Sequence, residues 1–301
     1  MWKNRYVSTT IVSLFIALMT LAALAPAAQA QRSETKIVAS DGVDGDFFGQ
    51  AVAISGSTAV VGVRDADLGN DENAGAAYVF ERIDGQWQEV QKLIASNGDE
   101  GDFFGDRITI DGDMILVGAP GNDDRAPENG AVYAFERIDG VWQEVQIFYP
   151  DDTSASKVFG WDVALDGDRA FIGAPQDSQV DFFAGATYVF ERQNDEWVQD
   201  DKLLPPLGVG GDVLASFFGL DIGLDGDRVI ISASTEDDAA PFAGTASVFE
   251  RINGQWQLFD KLLPPPVDEP DSLDEELFGS DVTLTTGRSS ARPVTTRAVH
   301  Q

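Results

Sequence analysis

Few side chains in this sequence could carry out catalysis. The chain has no cysteine, and its single histidine is His300, the residue before Gln301. A serine hydrolase triad needs an imidazole base, and a histidine-ligated zinc site needs several imidazoles. The composition therefore argues against both kinds of site, and it excludes thiol catalysis and cysteine-ligated metals.

Carboxylates are the remaining candidates for chemistry. Glycosidases need only two of them at a defined separation, but the chain has 51 acidic residues and their spacing selects no pair. We therefore assign no catalytic, cofactor-binding or metal-binding residue from the sequence.

Two classes of acidic loop offer the hard oxygen ligands that calcium prefers. None of these loops has the spacing of an EF-hand. Aspartates also form solvated turns, and we favour that interpretation of the loops. Calcium is kept as a candidate cofactor. One class precedes a Phe-Gly dipeptide and the other follows an apolar segment: Asp41, Asp44, Asp46, Asp99, Glu100 and Asp102, then Asp65, Asp67, Asp71, Asp123, Asp124 and Glu128.

The N-terminal 30 residues have the features of a secretory signal peptide. Lys3 and Arg5 precede an apolar segment, residues 11–24, and Ala28-Gln29-Ala30 is a small-residue cleavage pattern. A transmembrane anchor is the alternative, but the segment is short for a span of ~20 apolar residues. The sequence predicts cleavage after Ala30 and a secreted, periplasmic or cell-envelope protein with no membrane insertion.

The predicted mature chain is strongly acidic. The formal net charge is −31, and removal of two basic residues with the signal leaves 18 basic residues against 51 acidic ones. Binding to nucleic acid needs a basic surface, so we expect no nucleic-acid partner. The charge favours cations or basic partners, although solubility alone also explains it.

Internal repeats dominate the sequence. A Phe-Gly dipeptide begins near residues 48, 104, 159, 218 and 278, and a Phe-Glu-Arg block and a tryptophan recur at nearly the same spacing. Within each unit an alternating apolar segment, an Asp-Gly or Ser-Gly turn, an unbroken apolar segment and a second hairpin turn indicate four strands. Four antiparallel strands repeated every 55–60 residues predict an all-β protein, a β-propeller with four complete blades and a partial fifth.

The units resemble FG-GAP repeats, which occur in integrin α-chain propellers and in exported bacterial proteins. The Phe-Gly element is present five times, whereas Gly-Ala-Pro is intact only at residues 118–120 and 173–175 and is altered at residues 62–64 and 232–234. The resemblance implies a β-propeller, and family propellers usually have seven blades, so a truncated seven-bladed propeller is one interpretation. The family's calcium loop would lie between the first two strands, where this chain has only a tight turn.

The predicted organisation is a signal peptide at 1–30, FG-GAP repeats at 31–284 and an aberrant or disordered tail at 285–301. The tail has no acidic residue and shows no strand pattern. We expect it to reflect a truncation or frameshift, with a natural disordered terminus as the alternative.

The sequence favours an exported, non-catalytic binding or adhesion module that presents loops to a protein or glycan. The loops between the second and third strands vary most, and variable loops on a rigid scaffold commonly bind ligands. Phe182, Phe183 and Phe242 lie in these loops and are expected to be contact residues or buried anchors. The alternatives are the propeller part of an exported hydrolase, or an enzyme that uses carboxylates.

Overall fold

The computed structural model describes residues 36–152, 155–206, 215–236, 243–264, 277–284 and 294–299. The chain divides into two units, Met1–Lys36 and Ile37–Gln301, and the described strands all lie in the second. The predicted signal peptide, residues 207–214 and His300 lie outside the described residues. The all-β prediction is confirmed, because the second unit contains four four-stranded antiparallel sheets in which sequence neighbours pair.

Each sheet is one repeat, and its strands follow the predicted segments. The strands are β1 Val52–Ser55, β2 Thr58–Val63, β3 Ala76–Ile83, β4 Gln86–Leu93, β5 Arg107–Asp111, β6 Met114–Ala119, β7 Ala131–Ile138, β8 Val141–Phe148, β9 Val163–Asp166, β10 Arg169–Ala174, β11 Ala186–Gln193, β12 Glu196–Leu203, β13 Ile222–Asp225, β14 Arg228–Ala233, β15 Thr245–Ile252 and β16 Gln255–Leu262. We call these sheets blades 1 to 4.

The hairpin turns form where the sequence offers residues that tolerate a positive φ. In blade 1, Gly56 joins β1 to β2 at φ 58°, and Asp84-Gly85 joins β3 to β4 at φ 51° and 81°. The same positions are left-handed in the other blades. These tight turns fix the strand register.

A β-bulge recurs between the third and fourth strands of every blade. In blade 1 the register shifts between Val79 and Phe80, and the equivalent shift occurs in the other three blades. The bulge adds one residue to the outer strand, at Val90 in blade 1, and such an insertion bends and twists the strand locally.

The first strands lie side by side in the order β1, β5, β9, β13 and β17, which places them along the inner edge of the blade series. Apolar cores form between consecutive blades: Ile108 and Ile110 of β5, for example, pack in one cluster with Val60 and Val79 of blade 1. The phenylalanines of the second, third and fourth Phe-Gly elements are fully buried, and in blades 2 and 3 the ring meets a tyrosine edge-on at 5.3 Å.

Glycine permits the closest contacts between blades. A Cβ on Gly62 would lie 2.0 Å from the carbonyl oxygen of Gly105, and the equivalent contacts join Gly118 to Gly160 and Gly173 to Gly219. The first glycine of each pair opens a Gly-Ala-Pro element or its altered form, and the second belongs to the next Phe-Gly element. Blades therefore approach with their backbones in direct contact.

The Phe-Glu-Arg block forms ion pairs between blades. The arginine of each later blade reaches the glutamate of the blade before it, with Arg137 2.6 Å from Glu81 and Arg192 2.9 Å from Glu136. Arg251 pairs with Glu191 in the same way. The block therefore recurs because each copy contacts the next.

In the part of the chain that the structure describes, no complete blade precedes blade 1, and part of the face that it turns in that direction is exposed. Ile54 is 65% exposed, whereas Ile110, at the equivalent position of blade 2, is 9% exposed. Among the described residues, 37–41 and Phe48 cover part of this face. Ser40 bonds the Glu89 carboxylate just as Ser96 bonds Glu144 of blade 2. Residues 36–40 form no strand, but residues 37–40 lie beside blade 1 as residues 93–96 lie beside blade 2.

A partial fifth unit follows blade 4. Strand β17, Leu277–Leu284, packs on β14 with Val282 buried, and it pairs with β18, Val294–Val299. Strand β18 lies in the tail, where the sequence shows no strand pattern.

No helix long and apolar enough to cross a bilayer occurs in the described parts of the chain.

The open face of blade 1 predicts unequal costs for one substitution at two equivalent positions. Ile110→Ala should lower the free energy of unfolding by about 2 to 4 kcal/mol, because it removes buried methyl groups between two blades. Ile54→Ala should cost less than about 1 kcal/mol, because that side chain remains in water. Urea unfolding of both variants measures the difference, and equal losses would show that another blade covers Ile54.

Candidate functional site

The candidate binding surface is the rim on which the Phe-Gly elements lie, here called the Phe-Gly rim. Antiparallel pairing places the second-to-third strand loops and the connections between blades at this same end of the sheets. The loops are residues 64–75, 120–130, 175–185 and 234–244. The opposite end carries the short hairpin turns and is called the hairpin rim.

Backbone hydrogen bonds tie each rim loop to the next blade. Phe103 and Phe104 donate their N–H groups to the carbonyl oxygens of Asn73 and Ala74, at 3.1 and 3.0 Å, and the pattern repeats at the next two junctions. The first donor of each pair has a positive φ, between 52° and 58°, even where it is Val158. A β-branched residue in this region is strained, so the junction must hold it in place, and the loops are presented on a fixed backbone.

The loop of blade 3 presents an exposed aromatic pair. Phe182 is 59% exposed, and its ring stacks on Phe183 with centroids 4.0 Å apart. Phe183 is half-buried and contacts Phe217 of the next junction, at 5.9 Å. Phe182 is thus available for contact while Phe183 anchors it; Phe242 lies outside the described residues.

Hydrogen bonds hold this aromatic loop in place. The Phe182 N–H donates to Asp181 Oδ1 at 2.7 Å, and the Phe183 N–H donates to Ser178 Oγ at 3.0 Å. The Phe182 carbonyl oxygen accepts the Ala215 N–H at 2.8 Å. The pair is therefore ordered before any ligand arrives, which reduces the entropy cost of binding.

A buried polar cluster lies beneath the rim in blade 3. Lys157 Nζ lies 2.5 Å from Asp177 Oδ2 and 2.9 Å from the Tyr188 hydroxyl, and Lys202 Nζ lies 2.7 Å from Asp152 Oδ2. Although burial works to raise it, hydrogen bonds from Lys202, Tyr188 and Lys157 lower the pKa of Asp152 to about 2. The charged groups of the cluster are paired with one another, so the cluster links the rim loop of blade 3 to the segment that precedes the blade.

Polar side chains lie at the equivalent place in the other blades. Those of blades 1 and 4 also include a lysine, whereas those of blade 2 do not. Lys92 pairs with Asp41, and Lys261 pairs with Glu236, whereas Ile147 occupies the equivalent position of blade 2. There burial is the largest influence on Asp102 and raises the pKa of its carboxyl.

Of the acidic residues considered for calcium, four accept a nearby backbone N–H and so act as turn formers, whereas four others bond side chains: Asp41, Asp65, Asp124 and Glu128. Asp46 Oδ2 accepts the Val43 N–H at 2.8 Å, and Asp67 Oδ1 accepts the Asn73 N–H at 2.9 Å. Within the ranges that the structure describes, no three acidic or histidine side chains are arranged to hold a metal ion.

Two carboxylates lie where the first strands of blades 3 and 4 begin. Asp162 Oδ2 accepts the Ile222 N–H at 2.7 Å, and Asp221 Oδ2 accepts the Val282 N–H at 2.5 Å, so each links its blade to the next. Burial, and then the nearby Asp221 carboxylate, raise the pKa of Asp162 to about 7, while Arg107 works to lower it. Sequence spacing could not select this pair among 51 acids, because the repeat brings together residues 59 positions apart.

The raised pKa of Asp162 predicts a pH dependence of stability. Between about pH 4 and pH 7 the unfolded chain has released this proton while the folded chain still holds it, so the free energy of unfolding falls as the pH rises. The loss is at most about 4 kcal/mol and is complete above the folded pKa. Asp162→Asn removes this contribution, so the stability of the variant relative to wild type should increase from pH 4 to pH 8.

Urea unfolding at several pH values measures that difference, with Asp168→Asn, an exposed carboxylate in the neighbouring turn, as the control. A constant difference between Asp162→Asn and wild type across this range would contradict the assignment.

Comparison with known proteins places these features in a family. The model of the FG-GAP repeat matches residues 32–80, 87–135 and 142–190. No curated protein sequence matches the chain. Among 155 matching solved chains is the Pseudomonas aeruginosa periplasmic gluconolactonase PpgL, with a TM-score of 0.52 and 16% identity over 83% of this chain.

The match covers 65% of the gluconolactonase chain, and at this identity it shows the fold alone. Blade 4 lies beyond the three matched repeats, yet it has the same strand order and the same bulge as they do. On the repeat match and the blade architecture together, the chain belongs to the FG-GAP repeat family of β-propeller proteins.

Proposed function

We propose that this protein is an exported, non-catalytic binding scaffold that uses the Phe-Gly rim to bind a protein or glycan. The observation that carries the proposal is the exposed Phe182 ring, stacked on Phe183 and fixed by hydrogen bonds on a rim loop. Exposed, pre-ordered aromatic side chains are common energetic centres of interfaces.

The arrangement of polar groups supports binding over catalysis. The buried rim clusters pair their lysines with carboxylates, and the Asp162 and Asp221 carboxylates hold backbone N–H groups of the next blade. Groups committed to such bonds stabilise the junctions. The signal-like N-terminus predicted from the sequence supports export, as does the likeness to a periplasmic propeller.

A carboxylate-based enzyme is the second candidate, and one observation favours it. Asp162 has a pKa of about 7 beside a second carboxylate, which is the range that suits a general acid or base near neutral pH. The similar periplasmic propeller is a gluconolactonase, so lactones are a reasonable first substrate class for this alternative.

The proposal predicts that Phe182→Ala weakens binding at least about tenfold, because it removes the exposed ring of the proposed contact surface. Phe259→Ala is the matched control: Phe259 is 56% exposed but lies on the outer strand β16, away from the rim. Glycan and peptide arrays identify a ligand, and titration calorimetry compares the variants.

Equal affinities of the two variants would overturn the assignment of the site. Turnover of a lactone or glycoside that disappears in Asp162→Asn, with the fold intact, would replace the binding scaffold with the enzyme.

A further inference from the structure

The Phe-Gly rim of blades 1 to 3 is strongly acidic. The loops and blade connections of this rim between residues 41 and 162 include eleven exposed carboxylates among their described residues. The same residues include one exposed basic side chain, Arg125. Nine of the eleven form no ion pair with any described residue; the exceptions are Asp41 and Asp152. The surface around the binding loops therefore carries a large uncompensated negative charge.

The basic residues of the described chain are largely used for internal contacts. The structure describes the side chains of fourteen lysines and arginines, of which eleven form ion pairs and three, Lys36, Arg82 and Arg125, do not pair with a described residue. A partner that complements the rim must consequently supply the positive charge itself. An anionic glycan or a nucleic acid would meet repulsion at the same surface.

Aromatic rings elsewhere in the chain show how a cation would fit Phe182. The Arg64 guanidinium lies 4.5 Å from the centre of the Phe103 ring, and Arg228 lies 4.9 Å from that of Phe259. Among the described residues, no such cation covers Phe182. An arginine from a partner could stack there while its neighbours meet the carboxylates.

Resting on the proposed function, we infer that the ligand of the Phe-Gly rim is a polypeptide segment rich in arginine. The guanidinium group matches both features of the surface, since it stacks on an aromatic face and bonds carboxylates in a planar, two-point geometry. A neutral glycan would use the ring but would leave the carboxylates without a matching charge.

The test uses the full-length protein and a fluorescently labelled nona-arginine peptide as the probe, with binding followed by fluorescence anisotropy. We expect binding that weakens as ionic strength rises, because exposed charges are screened. Asp123→Asn combined with Asp151→Asn, on the Phe-Gly rim, should weaken binding about fivefold at low salt. Phe182→Ala should also weaken it.

The matched control is Asp113→Asn combined with Asp168→Asn, which removes the same charge from exposed positions on the hairpin rim. It should change the affinity less than about twofold, because those positions are distant from the bound peptide. Equal effects of the two double variants would show attraction to the net charge alone and would overturn the inference.

The failure of this inference is distinguishable from failure of the proposed function. If nona-arginine does not bind while a neutral oligosaccharide binds in a Phe182-dependent way, the arginine-rich partner is wrong and the binding rim stands. If Phe182→Ala alters the binding of no ligand, the proposed function fails as well.

Discussion

The structure depends on one steric constraint, which is the contact of backbone on backbone between successive blades. A Cβ at Gly62, Gly118 or Gly173 would come within 2.0 to 2.3 Å of a carbonyl oxygen of the next blade, closer than any real side chain allows. Glycine at this position lets the blades approach closely enough for the Phe-Gly phenylalanine to be buried and for rim hydrogen bonds to form. In blade 4 the position is Ser232, whose hydroxyl oxygen instead accepts the Asp221 N–H at 2.9 Å. Of the two altered Gly-Ala-Pro elements, the one in blade 1 therefore keeps the glycine contact through Gly62. The one in blade 4 has instead the hydrogen bond that the Ser232 hydroxyl accepts.

This contact also explains why the Phe-Gly rim suits binding. Because each rim loop is bonded to the next blade, its sequence can change without moving the backbone that supports it. In blade 1, Arg64 stands where blades 2 and 3 have proline, and there it bonds Asp106 and covers Phe103. In blade 3 the loop instead leaves Phe182 bare. The scaffold and the binding surface are thus separate: glycines and buried aromatics fix the first, and exposed loop residues determine the second.

Much of the fold could be predicted from the sequence, because period-two segments and Asp-Gly turns recur in register and each specifies local structure. The repeat also identified the Phe-Glu-Arg block. It did not show that the block forms ion pairs between blades, since the Glu81–Arg137 pair joins residues 56 positions apart. The bulge at Val79 and Phe80 could not be predicted, because the sequence pattern does not show which residue of the outer strand is left unpaired. The exposure of Phe182 and the proximity of Asp162 to Asp221 were equally hidden, because both depend on how blades dock. A side chain's type and spacing do not determine whether another blade will cover it.

The most direct test of this account is the free energy of unfolding of Gly118→Ala compared with that of Gly98→Ala. Both glycines have ordinary φ values, but a Cβ at Gly118 would lie 2.3 Å from the Gly160 carbonyl oxygen, whereas one at Gly98 would lie 3.2 Å from the Ala95 methyl and 3.6 Å from the Ala95 carbonyl oxygen. The account predicts a loss of about 3 kcal/mol or more for Gly118→Ala, because the blades must separate to admit the methyl group, and less than about 1 kcal/mol for Gly98→Ala. If both variants are as stable as wild type, the blades are not held in backbone contact and the central claim is wrong.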